Sequence, residues 1–137
     1  MCPSIFVSSH HVSGCIRLLC VLLLLFLLRR YGIPICRTLM EYYRNRYPNK
    51  DARGKTDMWP AQALETYQCP DPTSRSKCGT NPSTDISGLQ AVLTRLLALP
   101  KTLPFITSAD RAAWQQQQDT LPPLPTAGGI ILPLEPG

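Results

Sequence analysis

The run Leu18-Leu19-Cys20-Val21-Leu22-Leu23-Leu24-Leu25-Phe26-Leu27-Leu28 is unbroken apolar sequence, and Arg29-Arg30 closes it. No polar residue recurs inside it, so a helix built from it has no face to offer to water. At 1.5 Å per residue the run covers about 16 Å, short of a hydrocarbon layer of ~30 Å. Extending it back to Val12 reaches roughly 25 Å and takes in Arg17. An arginine near a helix end carries its guanidinium out to the interface along its own methylenes. Residues 12–28 therefore read as a transmembrane signal-anchor helix suited to a thin membrane.

Two other readings fit less well. A cleaved signal peptide needs a basic start and a small-residue cleavage site. The preceding MCPSIFVSSHHVSGC has no lysine or arginine, and the run ends in Arg29-Arg30-Tyr31. A buried helix of a soluble protein needs partner helices, and the rest of the chain is thinly apolar and broken by proline. Of 14 prolines, seven fall between Pro100 and Gly137.

Charge sets the expected orientation. Arg29, Arg30, Arg37, Arg44, Arg46, Lys50, Arg53 and Lys55 form a basic block opposed only by Glu41 and Asp51, so its charge exceeds the net +5 of the whole chain. A basic block directly after an apolar one belongs on the cytoplasmic side. The expected topology is an exoplasmic N-terminus and a cytoplasmic C-terminus, at the endoplasmic reticulum or Golgi, with the mitochondrial outer membrane as the alternative. The expected partners of the block are the lipid bilayer and anionic lipid headgroups, not nucleic acid, although Tyr42, Tyr43 and Tyr47 interleave with its arginines.

The fold class that follows is mostly α and low in complexity. It has one N-terminal transmembrane helix, one or two short amphipathic helices, a Pro-rich disordered linker and tail, and no large globular core. In order, residues 1–11 make an exoplasmic stub, 12–28 the anchor, and 29–48 a basic interfacial helix. Tyr31-Gly32-Ile33-Pro34 should break the chain before that helix, because proline lacks the donor and clashes with the preceding turn. Cys36, Met40, Tyr43 and Tyr47 then share one helical face. Residues 49–84 read as a polar linker. Residues 85–99 form an amphipathic helix with Ile86, Leu89, Val92, Leu93, Leu96 and Leu97 along one stripe, stopped by Pro100. Residues 100–137 form a Pro- and Gln-rich tail with a short helix over 109–118, capped by Ser108.

The motifs argue for docking over chemistry. His10 and His11 are the only histidines, no carboxylate pair is placed for acid–base work, and no glycine-rich phosphate loop appears. No enzyme, cofactor or metal site is expected. The six cysteines contain no Cys-x-x-Cys pair. Cys69 and Cys78 would stay reduced in the cytosol and could pair in a lumen. Cys20 and Cys36 flank the membrane exit and are candidates for S-palmitoylation. Tyr43-Arg44-Asn45-Arg46 fits an arginine-based retention signal. Leu93-Thr94-Arg95-Leu96-Leu97 fits a helix-in-groove docking pattern, and Pro122-Pro123-Leu124-Pro125 a proline-rich ligand for a WW-domain protein.

The function expected from these features is that of a small membrane-anchored accessory or adaptor protein docking cytosolic partners at an endomembrane. Viral accessory proteins share this compositional character, which is analogy alone. The alternative from another class is a membrane-active homo-oligomer, viroporin-like or membrane-remodelling. Against it, Leu18–Leu28 has no polar face to line a channel.

Overall fold

The computed structural model describes residues 9–63 and 67–135, with side chains from Leu18 onward. Most of the N-terminal stub, including Cys2, lies outside the described residues. The chain divides into two units, residues 1–38 and 39–137. The first holds helix α1 (Ser9–Leu27), a single π-helical turn (Leu28–Gly32) and the start of helix α2 (Ile33–Arg46).

The break expected at residues 31–34 does not occur. The Ile33 N–H reaches back to the Leu28 carbonyl, one residue further than in an α-helix. This widened turn comes just before Pro34, where the proline ring and its missing N–H would otherwise disrupt the helical ladder. Gly32 suits the crowding there, since a Cβ at that position would lie 3.1 Å from Leu28 Cδ1.

The second unit is a small head built on helices α3 (Ser83–Ala98) and α4 (Ser108–Asp119). The apolar stripe of α3 is the reason they pack. Ile86, Leu89, Leu93 and Leu96 are buried along it, with Leu93 fully enclosed. Facing them, α4 buries Trp114 and Gln117. A capping box starts α4: the Thr107 hydroxyl accepts from Asp110 N–H at 3.0 Å, and Asp110 Oδ2 accepts from Thr107 N–H at 2.8 Å. The cap is thus one residue earlier than Ser108. Arg111 ties α4 to the end of α3 by donating to the Pro100 carbonyl at 2.8 Å. No large globular core is evident among the described residues; in this unit the buried apolar side chains include those of α3, Trp114, Met40, Met58 and Ile106.

The segments read as linker and tail are fastened to the two helices. Thr56 N–H donates to the Thr120 carbonyl at 2.7 Å, joining the 50–56 loop to the end of α4. Ala61 and Gly79 exchange both backbone hydrogen bonds, at 3.0 and 3.1 Å. The Arg75 guanidinium forks onto Asp57 with two bonds of 2.8 Å and lies 5.5 Å from the Trp59 ring centre. In the tail, Thr126–Ala127 (β1) pairs antiparallel with Ile130–Ile131 (β2). Gly128 and Gly129, both at positive φ, make the two-residue turn, a backbone that other residues resist. Beyond it Ser83 N–H donates to Pro133 O at 3.0 Å and Glu135 N–H to Thr80 O at 2.9 Å. The tail is held by backbone bonds to the start of α3, where an extended or disordered segment was expected.

Asn81 is the joint of this arrangement. It is buried, sits in the left-handed region (φ 52°), and offers its Oδ1 to Met58 N–H at 3.0 Å while its Nδ2 donates to Glu135. The linker and the tail therefore meet on one side chain. Asn81→Ala removes the polar side chain that lets asparagine tolerate the left-handed region and strands the Met58 N–H, and should cost about 2–4 kcal/mol. Asn81→Gly should recover about 1 kcal/mol of that by relieving the backbone. Urea unfolding of the full chain in detergent micelles checks both values.

Candidate functional site

Helix α1 carries the longest exposed apolar stretch among the described residues. Leu18 to Leu27 are all exposed, Leu19 at 68% and Leu24 at 65%, and only 6% of the most apolar stretch is buried. The helix that meets the length and hydropathy of a membrane span runs from Leu18 to Arg46, with a mean hydropathy of 2.0 in its most apolar window; a signal sequence and the core helix of a soluble protein meet the same requirement. Leu28 is half-buried in the π-turn. Among the described residues little covers the leucines from Leu18 to Leu27, and a bilayer is a solvent that fits them.

The basic flank is unevenly engaged. Arg29, Arg30 and Arg44 are exposed, and the Arg30 guanidinium carbon lies 5.9 Å from the Tyr31 ring centre. Arg37 is half-buried. Arg46 donates to the Pro60 carbonyl at 3.1 Å and lies 5.2 Å from the Tyr47 ring centre, so half of the Arg-x-Arg motif is occupied within the head.

The face of α2 that reads as interfacial packs inward instead. Met40 and Tyr47 are buried, and the Met40 carbonyl accepts from Gln117 Nε2 of α4 at 3.3 Å. The Tyr43 hydroxyl donates to Asp85 in the first turn of α3. This is a tertiary use of an amphipathic stripe, and neither Asp85 nor Gln117 is near α2 in sequence.

The docking candidates separate by burial. Leu93 and Leu96 are core residues, and Leu97 is half-buried. A groove competing for that leucine face would have to displace α4. Pro122 and Pro125 are buried, Leu124 is half-buried, and Pro123 is exposed. A WW domain would therefore meet one free proline of the motif unless the segment detached. Cys20 is an exposed free thiol and Cys36 a half-buried one. Cys69 and Cys78 are joined by a disulfide. Among the described residues no group of three or more His, Cys, Asp or Glu side chains could hold a metal ion.

A cavity of about 200 Å³ lies among α2, the segment after it, α3 and α4. Tyr43, Tyr47, Met58, Leu89 and Leu121 give it apolar walls, and Arg44 and Lys50 are its charged lining. The Lys50 ammonium donates to the Thr56 hydroxyl at 2.7 Å, and burial pushes its pKa down. Four separate chain segments build this cavity, so no local spacing could have announced it.

Asp85 sits where two effects oppose. The first turn of α3 favours a negative charge. Burial disfavours it and pushes the carboxyl pKa up, while the hydrogen bond from Tyr43 pulls it down. The net direction is upward, so burial wins. A raised folded-state pKa means that the stability Asp85 contributes is present in full at acid pH and is lost as the pH rises through that raised value. Asp85→Asn keeps an acceptor for Tyr43 and removes the titration. It should be more stable than the parent at neutral pH, with the difference vanishing towards about pH 3. Thermal unfolding of both proteins across pH checks the sign; a less stable D85N at neutral pH would mean that the helix terminus dominates.

Comparisons with protein-family models, with curated proteins and with solved structures return no match.

Proposed function

We propose that the protein is a membrane-anchored accessory protein that holds a small folded head at an endomembrane, where the head docks a partner protein. The observation that carries this reading is the pairing in one chain of an exposed apolar helix, closed by Arg29-Arg30, with a structured head. An exposed apolar helix supports a reading in which the molecule sits at a bilayer. The partner surface is the exterior of the head, with Pro123 and Leu97 on it, because Leu93, Leu96, Pro122 and Pro125 are taken up by folding.

Flanking charge supports a cytoplasmic head. Orientation responds to Lys and Arg within about 15–20 residues of the span, and Cys69 lies too far along to influence it. The Cys69–Cys78 disulfide favours a second reading, a head on the oxidising side of the membrane. Closing so short a loop adds roughly 2–3 kcal/mol in the chain-entropy account, too little to dictate insertion but enough to matter once the side is chosen.

Glycosylation reporters on each terminus, alkaline extraction and maleimide labelling of the two thiols distinguish these readings. The first reading expects an extraction-resistant protein modified only at the N-terminal reporter, whatever the state of Cys69 and Cys78. Modification of the C-terminal reporter, with labelling only after reduction, would establish the second. Release of the unmodified chain by alkali would overturn the anchor itself.

A further inference from the structure

The cavity among α2, α3 and α4 has a division of chemistry that packing alone does not require. Met58 and Leu89 are buried, whereas Arg44 and Lys50 are exposed, so the apolar part is deep and the cationic part is at the mouth. No carboxylate is among the residues that line it. Gln116, Gln117, Thr56 and Thr120 supply the remaining polar wall, none of them charged. An apolar cavity of about 150 Å³ is enough to take up benzene, and this one is about 200 Å³.

We propose that this cavity is a binding site for a small amphipathic anion, with an apolar body the size of one aromatic ring or a short acyl chain and a carboxylate at one end. The body lies between Met58, Leu89 and Leu121, with the tyrosine rings of Tyr43 and Tyr47 along its side. The carboxylate meets the Arg44 guanidinium and the Lys50 ammonium. Lys50 is already drawn towards the wall by its bond to Thr56, which leaves donors for an anion, and partial desolvation there lowers its pKa. Two positive groups with no acidic neighbour in the lining select against cations and against neutral molecules of the same shape. The site does not depend on which side of the membrane the head occupies.

The test uses the full chain in phosphatidylcholine nanodiscs, titrated calorimetrically with benzoate and octanoate, and with benzyl alcohol as the uncharged counterpart of benzoate. Saturable binding of at least one carboxylate at one site per chain is expected, with benzyl alcohol weaker by about tenfold or more. The surface pair Arg44→Gln and Lys50→Gln together should weaken the carboxylate by about tenfold or more while leaving benzyl alcohol unchanged. Ala113→Leu, which fills the cavity from α4, should abolish binding of the carboxylate, with unchanged circular dichroism showing that the head remains folded. If neither carboxylate binds saturably, or if binding persists undiminished in the Arg44/Lys50 variant, the proposal fails. Equal carboxylate binding by protein-free nanodiscs would likewise assign the signal to the bilayer and overturn it.

Discussion

Leu93 has no exposed surface, and Trp114 across the seam has almost none; around them α3 and α4 give the head its one substantial apolar interface. At 12 residues α4 is marginal alone in water, and the 16 residues of α3 lie only just beyond that limit, so both draw most of their stability from packing an amphipathic face. Each therefore exists because the other covers its stripe. Everything else in the head is fastened to this pair. The 50–56 loop bonds to the end of α4 through Thr120, α2 leans on it through Met40 and Gln117, and the tail bonds to the start of α3 through Ser83 and Thr80. A head with so few buried side chains has little stability in reserve, so single polar joints such as Asn81 count for more than they would in a larger domain.

The apolar helix α1 obeys a different rule. Leu18 to Leu27 are all exposed, whereas the leucines of α3 are buried or half-buried along one stripe. The distinction is one of solvent. A stripe of apolar residues can be covered by one neighbouring helix, but a helix apolar all round must be surrounded. The π-turn at Leu28–Gly32 lets the chain pass Pro34 without losing helical continuity, so the basic residues that follow begin on a helix and not on a loop.

The sequence disclosed what depends on local period and composition. A long apolar helix near the N-terminus was legible from the leucines of 18–28, and the helices expected over 85–99 and 109–118 were observed as Ser83–Ala98 and Ser108–Asp119. What could not be read were pairings made across the chain. The bonds of Asn81 to Met58 and Glu135, of Arg75 to Asp57, and of Ala61 to Gly79 use residues typical of loops, in stretches with no hydrophobic period to flag them. Proline content suggested a free tail, yet Pro122 and Pro125 are buried and Gly128-Gly129 turns the chain back on itself. The docking motifs mislead for a related reason: Leu-x-x-Leu-Leu is the pattern of any helix that packs on a neighbour, and here the neighbour is α4. The cavity was invisible because its charged mouth and its apolar floor come from different elements.

The central claim is that linker and tail belong to one folded head beyond the anchor. Hydrogen–deuterium exchange on the full chain in nanodiscs tests it most directly, read at the amides of Thr56, Ser83, Leu132 and Glu135. Thr56, Ser83 and Glu135 donate to backbone carbonyls of another segment, those of Thr120, Pro133 and Thr80, and Leu132 donates to Pro125 across the tail's own hairpin. The account predicts protection at all four that is lost together with that of α3 and α4 as urea is raised. Exchange at the rate of an unstructured peptide at Leu132 and Glu135, with α3 and α4 still protected, would contradict it and leave a two-helix body trailing a free tail.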